Sequence, residues 1–234
     1  MQLVILAGGL GTRLRTIAST IPKALVPVAG RPFVEHQIEM FKRQSLGQIL
    51  FCTGYLGEMI ESYVGDGSKF GVSASYSREA PASLLGTGGA LVNALPLLAA
   101  EFLVVYGDSY LLTDFTAFTR WSRLSGFPAV MTVFRNAGQW DQSNVRIDGR
   151  QVARYSKRAA VGECDFIDYG LSYFKREVIE AYSGSMLPLD LGLVQEQLVA
   201  KRSLGAFEVH ERFYEVGKPE GVEELGAYLQ GRAH

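Results

Sequence analysis

The chain has 234 residues, a hydrophobic fraction of 47%, a charged fraction of 20% and a net charge of −1. That composition excludes a disordered chain, and a domain of this length closes an apolar core without disulfide or metal staples. A near-neutral chain has no global field for nucleic acid or an anionic membrane surface, so any anion it holds must be caught by a local patch. The two cysteines, Cys52 and Cys164, have no metal-finger or redox spacing and read as reduced core residues of a cytoplasmic protein. The longest apolar stretch, Ala90 to Tyr106, is broken by Asn93, Pro96 and Glu101, so no membrane span is expected. The first apolar run is too short, and lacks the preceding positive charge, for a secretory leader.

Elements follow in chain order. Leu3 to Leu6, Gln48 to Thr53 and Phe102 to Tyr106 are short continuous apolar runs of the kind that form strands buried on both faces. Between them, Phe33 to Arg43 and Glu58 to Val64 have helical spacing. Asp114 is placed to cap a helix over Phe115 to Ser125, and Pro128 to Phe134 is a further strand. The alternation predicts a mostly parallel sheet with helices on both faces. From about Asn136 the texture changes. Val145 to Ile147, Gln151 to Tyr155 and Phe166 to Phe174 read as short strands of an antiparallel insertion, with Asp148-Gly149 as one turn. Helical patterns return at Leu191 to Lys201 and Gly221 to Leu229. A single domain over 1–234 is expected, with a nucleotide-binding half over 1–135 and a sugar-binding half over 136–234.

The most informative stretch is Leu6-Ala7-Gly8-Gly9-Leu10-Gly11-Thr12-Arg13-Leu14. A buried strand runs into three glycines, which lets backbone N–H groups point at an anion. It is neither a Walker A loop, which needs a Lys-Ser/Thr pair, nor a dinucleotide loop, whose third glycine is replaced by Leu14. With no acidic residue before Glu35, a dinucleotide-dependent oxidoreductase is excluded. Residues 1–34 carry Arg13, Arg15, Lys23 and Arg31 and no Asp or Glu, a concentration of positive charge suited to a nucleoside triphosphate.

These residues resemble the signature of the sugar-1-phosphate nucleotidylyltransferases: Gly8 to Leu14, then Pro22-Lys23-x-Leu25 and Gly30-Arg31-Pro32. The likeness continues at Leu85-Gly86-Thr87-Gly88-Gly89, at Gly107-Asp108, at Ile167-Asp168-Tyr169-Gly170 and at Glu215-Val216-Gly217-x-Pro219-Glu220. In its shortness the chain is similar to the mannose- and heptose-1-phosphate guanylyltransferase branch. The resemblance implies a Rossmann-like α/β fold of the nucleotide-diphospho-sugar transferase type. It implies transfer of a nucleotidyl group from an NTP, by likeness GTP, to a sugar 1-phosphate, with Mg²⁺. Uridylyl or thymidylyl transfer to another hexose 1-phosphate, and a non-catalytic nucleotide-sugar-binding regulator, stay open as alternatives. A homo-oligomer is compatible with the sequence.

By that resemblance, Leu6, Ala7, Gly8, Gly9, Gly11 and Thr12 bind the nucleotide, the amides of Gly8 to Thr12 cradling the triphosphate. Arg13 serves the phosphates that leave as pyrophosphate, and Lys23 serves the α-phosphate and the incoming sugar phosphate. Gly86, Thr87 and Gly88 meet the base and ribose. Lys157 is a second cation on the sugar phosphate, and Asp168, Gly170 and Glu79 meet the sugar. Asp108 and Glu215 hold the metal. The chain departs from the family pattern at Thr16, at Ala18, at Ser156 before Lys157-Arg158, and at Glu215, where the family has Asp. None of His36, His210 and His234 has a partner motif that would make it a base, and Trp121 and Trp140 read as packing residues.

Overall fold

The computed structural model describes residues 1–9, 20–80, 85–140 and 142–231. Thirteen strands and seven helices alternate along these residues. In chain order the strands are β1 (Gln2–Ala7), β2 (Pro27–Val28), β3 (Arg31–Pro32), β4 (Gln48–Thr53), β5 (Ser73–Arg78), β6 (Glu101–Tyr106), β7 (Ser109–Leu111), β8 (Ala129–Arg135), β9 (Val145–Asp148), β10 (Gln151–Tyr155), β11 (Phe166–Lys175), β12 (Leu204–Val209) and β13 (Phe213–Glu215). The helices are α1 (Phe33–Arg43), α2 (Gly57–Val64), α3 (Gly86–Asn93), α4 (Phe115–Ser125), α5 (Arg176–Glu180), α6 (Leu191–Ala200) and α7 (Pro219–Leu229).

The chain forms two compact units. The first comprises residues 1–84, 105–111 and 213–234; the second comprises 85–104 and 112–212. In the first unit, β1, β4 and β5 run parallel in the order β5-β4-β1. β1 and β4 are almost wholly buried, as their continuous apolar runs require. β5 reads Ser-Ala-Ser-Tyr-Ser-Arg and lies at the edge, where a polar, alternating strand is tolerated. The short ladder of β7 with β13 pairs Ser109 with Glu215 and Tyr110 with Tyr214. It ties the segment after residue 212 to the turn after β6.

The second unit orders its strands β6-β11-β8-β12-β10-β9. β8 and β12 are parallel, while β11 runs antiparallel to β8, and β9 and β10 antiparallel to each other. β11 is therefore central and not part of a peripheral insertion; its ten residues are nearly all buried. Trp121 and Phe118 pack edge-on against Phe207 of β12. Cys52 and Cys164 are buried and form no disulfide. No described helix is long and apolar enough to cross a membrane.

Candidate active site

The first unit carries a lysine–carboxylate pair at the end of β6. Lys23 lies in a single 3-10 turn (Lys23–Leu25) opened by Pro22, and its Nζ donates to Asp108 Oδ2 at 2.7 Å. The two side chains are 20% and 23% exposed, open enough to receive a ligand and closed enough to strengthen the attraction. Gly107 precedes Asp108 because the strand end must approach β1. Its N–H donates to Leu6 O at 3.0 Å, and a Cβ there would stand 2.9 Å from that same oxygen. Beyond Asp108 the chain is fixed by Val216, whose N–H donates to Asp108 O at 2.8 Å. That bond brings Glu215 within one residue of Asp108. Gly217 lies beside the pair: a Cβ there would stand 3.4 Å from Asp108 Oδ2 and 3.7 Å from Lys23 Nζ.

Leu6, Ala7, Gly8 and Gly9 end β1 and begin the first Gly-rich turn in this unit. Gly11, Thr12 and Arg13 lie outside the described residues. Glu79 also belongs to the first unit. Its Oε1 would be 3.0 Å from a Cβ on Gly8, and burial, joined by the Glu79 charge, pushes the Cys52 thiol up to about 12. Arg31, counted with the basic residues of the N-terminal segment, is committed elsewhere. It donates to Glu39 Oε1 at 2.7 Å and lies 3.6 Å from Glu35. Counting charges to residue 34 missed these partners, which follow within two turns of helix. His36 is 4% exposed with both ring nitrogens engaged, Nε2 at 2.8 Å from Val28 O and Nδ1 at 3.1 Å from Arg31.

The second unit gathers Thr87 and Lys157 around a residue that motif reading overlooked, Asp190. Asp190 caps α6, accepting from Gly192 N at 2.7 Å. Both of its carboxylate oxygens take Lys157 Nζ at 2.8 Å. Thr87 Oγ1 accepts from Leu191 N at 2.9 Å, which ties the second Gly-rich turn to the same helix start. The hydrogen bonds from Lys157 and the Gly192 amide hold the Asp190 carboxyl below its ordinary range, against the burial that raises it. The local signal was present: an Asp directly before the helical pattern at Leu191 is an N-cap.

The glycines of this turn make their close approach to protein. Gly86 has φ +75°, and a Cβ there would stand 2.5 Å from Leu189 O; Gly88 and Gly89 donate their N–H groups to that oxygen at 2.9 and 3.0 Å. Asp168-Tyr169-Gly170 forms an irregularity in β11, where its register with β8 shifts. Gly170, at φ +94°, donates its N–H to Asp168 Oδ1 at 3.0 Å, and Asp168 N–H donates to Asn144 Oδ1 at 2.9 Å. Such a bulge re-aims a side chain within a strand. Burial pushes the Asp168 carboxyl up to about 6, while the Gly170 amide and Lys157 pull it down. Trp140 is 45% exposed, with the Arg212 guanidinium 4.1 Å over its ring, so it is a stacked surface residue and not a core one.

Asp108, with Glu215 on the adjoining strand, supplies hard oxygen donors. Mg²⁺ is commonly held by one or two carboxylates and completed by substrate phosphates and water. The described residues hold no cluster of three or more His, Cys, Asp or Glu side chains that could cage a metal alone. The donor set thus fits a cation that arrives with a phosphate ligand.

The nucleotidyl transferase family model matches residues 2–142. N-acetylmuramate alpha-1-phosphate uridylyltransferase of Neisseria meningitidis is 43% identical over 118 residues, 50% of this chain and 51% of that protein. D-glycero-alpha-D-manno-heptose 1-phosphate guanylyltransferase of Aneurinibacillus thermoaerophilus is 39% identical over 115 residues, 49% of each chain. These matches span about half the length of the curated relatives. Among solved structures, HddC from Yersinia pseudotuberculosis superposes with a TM-score of 0.81 at 25% identity, over 97% of this chain and 99% of that one. The fold is of the Rossmann-like α/β class. The chain belongs to the nucleotidyl transferase family.

Proposed function

We propose that this chain transfers a nucleotidyl group from an NTP to a sugar 1-phosphate, releasing pyrophosphate. The observation that carries the reading is the half-buried Lys23–Asp108 pair, built at the end of β6 directly beside the end of β1. Ligands of open α/β sheets bind at the carboxyl ends of strands. A sugar-phosphate oxygen attacks the α-phosphorus, and the electrons of the broken P–O bond leave on pyrophosphate. The nucleophile is already an anion at neutral pH, so no base is required; the engaged ring of His36 agrees with that.

The obstacle is repulsion between two anions and the charge that grows on the leaving group, which fixed cations relieve. Lys23 neutralises the α-phosphate and the incoming phosphate, and Arg13 the departing pyrophosphate. The amides of the turn begun by Gly8 and Gly9 orient the triphosphate. Asp108 and Glu215 would hold Mg²⁺, which when bound screens the phosphate charges. In the second unit Thr87 and its flanking glycines serve the nucleoside, Lys157 the sugar phosphate, and Asp168 and Gly170 the sugar hydroxyls. GTP and a mannose- or heptose-type phosphate are the leading substrates, supported by the guanylyltransferase relative. The uridylyltransferase relative makes UTP the alternative.

The test is a panel of GTP, UTP, dTTP and CTP, each with Mg²⁺ and several sugar 1-phosphates, read by pyrophosphate release. Product formation with one pair is expected. Nucleotide-sugar binding without pyrophosphate release from any pair would overturn the enzymatic reading in favour of a regulator.

A further inference from the structure

Gln37 lies in the middle of α1 and is 0% exposed. Glutamine is mostly a surface residue, and a buried amide must account for both its donor and its acceptor. Its Nε2 lies 2.8 Å from Ser109 O and 3.4 Å from Tyr106 O. Both partners are carbonyl oxygens, so the orientation of the amide is forced: the nitrogen faces them and Oε1 faces away. Oε1 then has no hydrogen-bond partner among the described residues. A buried acceptor without a partner destabilises a fold, and an apolar side chain of similar length would avoid that cost. The retained amide therefore calls for a compensating role.

Its two acceptors indicate that role. Tyr106 and Ser109 flank Gly107 and Asp108, so one side chain spans the turn that carries the carboxylate. The same turn is anchored at Gly107 N–H by Leu6 O and at Asp108 O by Val216 N–H. Each of those bonds fixes one point, whereas the Gln37 amide sets the distance across the turn. We propose that Gln37 is a positioning residue. Its amide clamps the β6–β7 turn so that the Asp108 carboxylate meets Lys23 and a phosphate-bound divalent cation. The cation part of this inference rests on the proposed function; the clamp itself does not.

Gln37→Met keeps the length and the burial and removes both donors. Two readings of the folded variant test the proposal. Amide hydrogen exchange at Gly107 and Val216 should accelerate, while Val4 and Leu50 in the neighbouring strands stay as protected as before. Titration of Mn²⁺ with GTP, without sugar phosphate, should show affinity weaker by about tenfold or more, the usual cost of losing a residue that orients a metal ligand. Unchanged local exchange, or exchange that rises equally at all four positions, would overturn the clamp. Local loosening with unchanged Mn²⁺ affinity would overturn its bearing on the cation.

If Gln37→Met does not fold, Gln37→Leu supplies the same readings, since it also offers no donor to either carbonyl. A wild type that neither binds Mn²⁺ with GTP nor releases pyrophosphate would overturn the proposed function. Exchange at Gly107 and Val216 would still decide the clamp.

Discussion

Among the described residues stand two lysine–carboxylate pairs of the same chemistry in different settings. Lys23 and Asp108 are 20% and 23% exposed, and the carboxylate stands on a turn fixed by Leu6, Gln37 and Val216. Lys157 and Asp190 are 52% and 47% exposed, and the carboxylate is fixed chiefly by capping α6. An ion pair that is half in water is screened and contributes at most about 1 kcal/mol, whereas a pair drawn further from water acts with greater force on a charged ligand. On the proposed function, the first pair would stabilise charge that develops during reaction, and the second would orient a phosphate already bound.

The largest effect expected from breaking this comparison is at Lys23. Lys23→Ala should lower kcat by roughly a hundredfold or more, about 3 kcal/mol, as when one fixed donor to developing charge is removed. Steady-state kinetics beside a thermal melt checks this, and near-normal turnover in a folded variant removes Lys23 from the chemistry. Next comes the scaffold of the second pair. Gly86→Ala must accept a positive φ and a Cβ 2.5 Å from Leu189 O, so a loss of about 2 kcal/mol or more is expected. Denaturant unfolding measures it, and a neutral result would show that the Leu187–Leu191 segment yields easily.

A smaller effect divides the two jobs of Asp190. Asp190→Ala loses the cap and the ion pair, and should cost about 1 kcal/mol of stability as well as raising KM for the sugar phosphate. Asp190→Asn keeps a good cap and loses only the charge, so its stability should stay near wild type while KM still rises. Equal KM in both variants and the wild type would make Asp190 purely a cap.

The smallest effect is a pH dependence. The Asp168 carboxyl is raised to about 6 by burial, so the folded state holds its proton more tightly than the unfolded chain does. Its contribution to stability is therefore greatest in acid and falls as pH rises from about 4 to 6. Melting temperatures of the wild type relative to Asp168→Asn, compared across that range, should fall with rising pH; a flat difference would refute the raised value.

The elements with local instructions were legible. α1 and α4 begin and end where spacing places them, and the Asp114 side chain accepts from Ala117 N at 2.9 Å, as an N-cap should. β4 and β10 match the expected ranges because each is a compact run closed by a turn. The polar β5, the three-residue β7 and β13, and Leu204 to Val209 of β12 were not seen as strands. Their extended form depends on a neighbour to pair with. β11 was placed in an insertion because its sequence looks like the short strands before it, and only pairing with β8 makes it central.

By itself the sequence determined the residue types of the site, since a Gly-rich turn, Pro22-Lys23, Gly107-Asp108 and Glu215-Val216-Gly217 are each readable over a few positions. It also determined the facts of composition: a near-neutral chain with two cysteines and 47% hydrophobic residues. The tertiary structure alone decided partnership. It joined Lys23 to Asp108 across 85 positions and Lys157 to Asp190 across 33, committed Arg31 to Glu39, and turned a buried glutamine of α1 toward the turn that carries Asp108. The physical reason is that backbone preference acts over a few residues, whereas a salt bridge or a buried amide acts over a few ångströms, and only packing converts one distance into the other.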